Sequence, residues 1–398
     1  MTASLLPAGF LIGASTSAHQ IEGDNTASDW WLFEQRRPET LQPSGRACDS
    51  WNRWEQDMDL LADAGLQAYR FSVEWSRIEP EDGEFSAEAV DHYRRMVAGA
   101  RERGIEPIVT LHHFTNPAWF TLGGGWLRPD AADRFGGYLD RVAPVLDEGV
   151  GTVITINEPN MVAIMHRVIT GEAALESGLG GGLPLPHEGV RDALIAVHHD
   201  ARERLRARHA ELKVGWSVAN QVVQAAPGGQ ERADAYREAI EDVWLRAAAA
   251  DDLIGVQAYT RTVFGPDGRI EPAAEIPRTT TGWEYYPAAL GEAIRHTAAV
   301  LPDVPVLVTE NGISTRDDAE RIAYTTGALR GVADALADGI DVRGYLHWSL
   351  LDNYEWGHWE PTFGLVAVDR TTFVRTPKPS LSWLGQVARD RIVPPGPR

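Results

Sequence analysis

Lysine and cysteine are nearly missing from this chain. Of 37 basic residues only Lys213 and Lys378 are lysines, which reads as codon bias, and Cys48 is the single cysteine in 398 residues. One cysteine excludes an intramolecular disulfide framework, and Cys48 alone gives no basis for thiol catalysis. Positive charge is scarce overall: 37 Lys and Arg stand against 57 Asp and Glu, for a net charge of −20. Such a surface repels phosphate backbones and anionic lipids, so neither nucleic acid nor membrane is an expected partner. The first 35 residues contain no Lys or Arg, so the cationic start of a secretory signal is lacking. No apolar run approaches the length of a membrane span. A soluble, cytoplasmic protein is the expectation. No Gly-x-Ser-x-Gly elbow points to serine hydrolysis. Gly123-Gly124-Gly125 runs into Trp126-Leu127 instead of a phosphate-cradling helix.

What the chain does have is regular alternation. Apolar, β-branched runs at 10–14, 68–73, 107–111, 153–157, 214–219, 253–257, 306–309 and 342–347 read as buried strands. Helical periodicity fills 51–64, 87–103, 131–146, 188–209, 231–250, 284–300, 319–337 and 381–391. Gly65, Gly104 and Gly339 each follow such a segment, where a left-handed cap is wanted. Eight strand–helix units predict parallel pairing with right-handed crossovers, and so one α/β domain over 1–398, a (β/α)8 TIM barrel. A doubly wound open sheet is the alternative. The Gly- and Pro-rich stretch 178–186 reads as a rim loop, and 394–397 as a frayed tail.

In such a barrel the site forms where the strands end. Two strand ends stand out: Thr155-Ile156-Asn157-Glu158-Pro159 and Val308-Thr309-Glu310-Asn311-Gly312. A carboxylate at the end of a buried strand is costly unless paired or wetted. Two in equivalent places suggest a pair sharing one cavity, the equipment that cleaves glycosidic bonds. The other strands end in His19, Gln20 and Glu22; Arg70 and Glu74; His112-His113; Asn220-Gln221; Gln257 and Tyr259; and His347-Trp348 with Glu355-Trp356. Amides, imidazoles and carboxylates suit hydroxyls, and indoles suit sugar faces. Arg70, inside an otherwise apolar strand, needs a carboxylate partner, for which a catalytic Glu is the natural candidate. His112-His113 point to opposite faces of a strand, and His198-His199 lie mid-helix. Neither pair has metal-ligand spacing, so no metal and no cofactor is expected.

These residues carry a resemblance. Residues 10–23 (Phe-Leu-Ile-Gly-Ala-Ser-Thr-Ser-Ala-His-Gln-Ile-Glu-Gly), 69–78, the two carboxylate segments and 347–356 (His-Trp-Ser-Leu-Leu-Asp-Asn-Tyr-Glu-Trp) occur in order along nearly the whole chain. They resemble glycoside hydrolase family 1, the retaining β-glucosidase and β-galactosidase barrels. The resemblance implies an exo-acting β-glycosidase taking a small glycoside or oligosaccharide. It implies Glu158 as general acid/base and Glu310 as nucleophile, with Arg70 and Tyr259 holding Glu310. Asn157 would meet the sugar's 2-hydroxyl, and Gln20, His113, Trp348, Glu355 and Trp356 would line the sugar pocket. Phe114, Gln257 and His112 depart from the family's usual Trp, Asn and Tyr. The loops after the fourth and sixth strands look trimmed. A transglycosidase or a deglycosylase of specialised metabolites uses the same machinery. A sugar-binding barrel without chemistry shares the fold.

For the retaining reaction the two carboxyls must meet, about 5–5.5 Å apart. The charge on Glu310 is expected to raise the pKa of Glu158, and Arg70 to keep Glu310 ionised.

Overall fold

The structure, a computed structural model, describes residues 4–174 and 183–395. Eight strands form a closed barrel: β1 (Leu11–Ser15), β2 (Ala68–Ser72), β3 (Glu106–His112), β4 (Thr152–Asn157), β5 (Lys213–Ala219), β6 (Ile254–Gln257), β7 (Val306–Asn311) and β8 (Val342–Trp348). Each pairs in parallel with its successor, and β8 closes on β1 with Trp348 opposite Ser15. Helices cross outside between strands, among them Ser50–Ala64, Ala87–Glu102, Ala131–Leu146, Glu188–Arg208, Ala289–Val300 and Asp318–Ala337, with Pro379–Asp390 after β8. Their ends follow local chemistry. Ser86 and Asp317 accept backbone N–H groups at helix starts, and left-handed Gly65 closes the helix before β2. The predicted (β/α)8 barrel is therefore the fold.

Two apolar layers explain where the site lies. Inside the barrel, Leu11, Ala68, Ile108, Ile154, Leu253, Leu307 and Leu346 pack on one another. Outside it, alternate residues such as Phe71, Val109, Val153, Val256 and Val308 join the larger core beneath the helices. Each large side chain so buried contributes about 1.5–3 kcal/mol. Two residues above the inner plug the interior turns polar, with Arg70 on β2, Thr110 on β3 and Thr309 on β7, all fully buried. The plug is a floor, and the polar layer above it is the base of a cavity.

Some predicted elements differ. The helix read over 231–250 is split into Gln230–Arg237 and Val243–Ala247 by a π turn, Glu238–Asp242. Asn160 Nδ2 donates to the Ile240 carbonyl (3.0 Å) within that turn, a side chain inserted where the helix ladder would run. The helix read from residue 284 begins at Ala289, because Pro287 disfavours helical backbone at Tyr286. A small outer sheet of Val223–Ala225, Thr262–Gly265 and Gly268–Ile270 lies beyond β5 and β6 and was not anticipated. Of the rim loop 178–186, residues 178–182 lie outside the described residues, as do 396–397 of the tail.

His198 is buried, with Nδ1 2.7 Å from Thr155 Oγ1 and Nε2 2.9 Å from an Asp251 oxygen, so it serves packing. Cys48 is a free, buried thiol whose Sγ lies 3.4 Å from the Asp352 carbonyl. Among the described residues, no helix is long and apolar enough to cross a membrane.

Candidate active site

A cavity of about 800 Å³ opens where the strands end, lined among others by Glu158, Glu310, His113, Tyr259, Trp348, Glu355 and Trp356. The two strands bearing the carboxylates depart from regular pairing near their ends. The β4–β5 register shifts between Ile154 and Asn157, and the β7–β6 register between Val308 and Glu310. Such irregularities re-aim side chains beside active sites. After Asn157 ends β4, Glu158 takes a left-handed conformation (φ 44°) and Pro159 opens the helix Pro159–Ile169. Left-handed backbone costs a non-glycine residue about 1–2 kcal/mol, and the preset φ of proline at the first helical position fixes the turn. Glu310, by contrast, lies on β7 itself. Gly312 follows because a β-carbon there would fall 2.0 Å from the Trp348 carbonyl oxygen.

The two carboxyls have opposite surroundings. Glu310 is clamped: Arg70 Nη1 donates to Oε1 at 2.6 Å and the Tyr259 hydroxyl to Oε2 at 2.8 Å. Arg70, fully buried, also donates to Asn157 Oδ1 (2.5 Å) and Thr110 Oγ1 (2.9 Å). Glu158 has no side-chain hydrogen bond or ion pair among the described residues. Burial is the main force lifting the Glu158 pKa well above the usual carboxylate range, and the negative Glu310 adds to it. The neighbour's charge acts in the expected direction, as the second cause after burial. Burial raises Glu310 too, but there the Arg70 charge and the Arg70 and Tyr259 hydrogen bonds oppose it. Both carboxyls end above the usual range, but only Glu310 has a cation and hydrogen bonds that oppose the rise, so the two environments are unequal in the sense that an acid and a nucleophile require.

On the other side of Glu310 the wall is aromatic and polar. Trp348 Nε1 donates to Glu355 Oε1 (3.2 Å), and Gln20 Nε2 donates to Glu355 Oε2 (3.2 Å). Burial pushes Glu355 up to about 8, with Trp348 pulling it back and Glu310 adding to the rise. The His113 ring stacks near Trp348 and Trp356, and Trp356 stacks on His19 with centroids 5.7 Å apart. Gln20, Asn157 and Arg70 are fully buried and lie one layer behind the cavity wall. Asn157 Nδ2 lies 3.2 Å from His113 Nε2.

Glu22 and Glu74 also follow strands but do not line the cavity. Glu22 pairs with Arg77 at 2.7 Å, and Glu74 accepts from Thr115 and Ser76. His112 does not line the cavity; it packs behind two residues that do, Asn116 and Trp126. Sequence reasoning named Gln257 at a strand end but not its task, and passed over Tyr324; both hold the holders. Gln257 Nε2 donates to Asn157 Oδ1 (2.8 Å), and Tyr324 donates to the Tyr259 carbonyl (2.6 Å). Asn311, tied to the Ala258 carbonyl (2.7 Å), was in plain view beside Glu310.

One cluster at the mouth has metal-like composition: His166, Glu172 and His187 bring ligand atoms within 4.8 Å of one another. His187 Nδ1 accepts the Val190 N–H, which places its proton on Nε2, the nitrogen facing Glu172. That tautomer has no free lone pair for an ion there.

A barrel that ends in one clamped carboxylate and one proton-holding carboxyl in a single cavity is that of a glycoside hydrolase. The family is explicit in the sequence: the model of glycosyl hydrolase family 1 matches residues 2–262 and 260–392, and the chain belongs to that family. It is 32% identical over 442 residues to the thermostable β-glucosidase B of Thermobispora bispora, covering 96% of this chain and 90% of that one. It is 31% identical over 459 residues to the bifunctional β-D-glucosidase/β-D-fucosidase of Bifidobacterium breve, covering 97% and 98%. Among solved structures, the β-glycosidase BGL167 superposes with a TM-score of 0.88 at 40% identity, covering 99% of both chains. The family 1 β-glucosidase of Thermotoga maritima superposes at 0.89 with 25% identity over 100% of both.

Proposed function

We propose that the protein is an exo-acting retaining β-glycosidase that removes a terminal β-linked glucose or fucose from a small glycoside, as one catalytic barrel needing no cofactor. The observation that carries this is the unequal treatment of its two cavity carboxyls. Glu310, held ionised by Arg70 and Tyr259, attacks the anomeric carbon and becomes glycosylated. Glu158 gives its proton to the departing oxygen. Glycosylation removes the charge on Glu310, which lowers the Glu158 pKa at the step where Glu158 must take a proton from water. Asn157, one layer back, accepts from Arg70 and Gln257 and braces His113. His113, Trp348, Glu355 and Trp356, backed by Gln20, receive the rest of the sugar. The sugar choice rests on the names of the relatives. A cytoplasmic location agrees with the free thiol at Cys48.

The test is proton NMR of the first-formed sugar from an aryl β-glycoside. The β-anomer should appear first, and an initial α-anomer would overturn the double displacement. A panel of aryl β-glycosides of glucose, fucose and galactose reads the sugar preference.

A further inference from the structure

The helix Pro159–Ile169 continues directly from Glu158, so it borders the space into which a leaving group departs. Met161, Val162, Met165, Val168 and Ile169 from this helix line the cavity, at spacings that place them on one stripe. Leu122 also lines the cavity, and Leu122 and Ile169 are 67% and 39% exposed. Several polar side chains near them are already engaged. Asn116 and Thr121 both donate to Asp29, Asn220 donates to Glu241, and Arg261 forms a two-point pair with Glu284. A second sugar needs partners for each hydroxyl it buries, and among the described residues the lining face of this helix offers only His166. The volume, about 800 Å³, lies in the range of pockets that hold drug-sized ligands, so a sugar ring alone leaves room to spare.

Building on the proposed glycosidase reading, we infer that the leaving-group side selects an apolar aglycone, an alkyl chain or flat ring system, over a second sugar. Met161 and Met165 are the specificity-determining residues, since unbranched thioethers adapt to varied apolar shapes.

The experiment compares kcat/KM for octyl β-D-glucoside and cellobiose, which release octanol and glucose; glucose is the more acidic alcohol of the two, so leaving ability alone favours cellobiose. The octyl glucoside should be favoured by about 10-fold or more, and hexyl to octyl should rise severalfold as methylenes are buried. Equal or better use of cellobiose would overturn the inference. The double variant Met161→Gln with Met165→Gln keeps side-chain length and helix propensity. It should reduce the octyl-to-cellobiose ratio about fivefold or more, and an unchanged ratio would likewise refute it. If aryl glucosides are cleaved with retention but the octyl preference is absent, only this inference fails. If no β-glycoside is cleaved, the glycosidase reading fails first.

Discussion

Replacing Tyr259 by Phe removes one hydroxyl from the nucleophile and little else. The ring stays packed near Trp283 and Phe363, with centroids 5.5 and 6.0 Å away, and Tyr324 still donates to the Tyr259 backbone carbonyl. What goes is the 2.8 Å donation to Glu310 Oε2. A hydrogen bond to a charged group is worth about 1.5–3 kcal/mol. If all of it favoured the carboxylate form, its loss would raise the Glu310 pKa by about 1–2 units. Arg70 remains and takes up part of the burden, so about one unit is the expectation. The sign is fixed by chemistry. Glu310 works ionised, so a higher pKa costs activity at low pH, and the acid limb of kcat/KM moves toward neutrality. The plateau should also fall about 10-fold, because one side of the carboxylate is no longer positioned. The assay is hydrolysis of an aryl β-glycoside from about pH 4 to about pH 9, with wild type alongside. An acid limb that does not move, with a plateau within about twofold of wild type, would show that the hydroxyl does not hold the nucleophile.

Glu158→Ala should depress cleavage of alkyl glycosides by about 10²–10⁴-fold yet spare activated aryl glycosides by comparison. An equal loss for both would rule out an acid role. Arg70→Met leaves Glu310 buried without its cation, and should cost about 3–5 kcal/mol in denaturant unfolding at neutral pH and less in acid, where Glu310 is protonated. Wild-type stability would contradict this. Glu355, pushed up to about 8, keeps its proton in the folded protein after the unfolded chain has lost its own. Stability should therefore fall as pH rises from the usual carboxylate range to about 8, then level. Glu355→Gln should flatten that slope in thermal melts, whereas parallel curves for the two proteins would contradict the assignment.

The barrel was legible because parallel strands buried on both faces read as unbroken apolar runs, with glycine caps marking the intervening helices. The two carboxylate segments were legible for a related reason: each places a charge where burial forbids one without a purpose. What stayed hidden depends on partners distant in sequence. The register shifts that aim Asn157 and Glu310 are properties of strand pairs, and nothing in either strand alone announces them. Glu22 and Glu74 carry the same local signal as Glu158, yet Arg77, Tyr93 and Thr115 draw them away from the cavity. The π turn at Glu238–Asp242 answers to Asn160, some 80 residues earlier. Pro287 was a local sign that the reading passed over.

The solitary thiol at Cys48 equips this enzyme with a built-in reporter. Burial raises its pKa and hides the sulfur from solvent, so a disulfide reagent such as dithionitrobenzoate can modify it only after the surrounding packing parts. With no second sulfhydryl to blur the signal, the labelling rate under excess reagent times the opening of one place, where the chain after β1 meets Asp352 beyond β8. A sugar-mimicking inhibitor that tightens the barrel mouth should slow that clock, giving a readout of occupancy that does not require turnover.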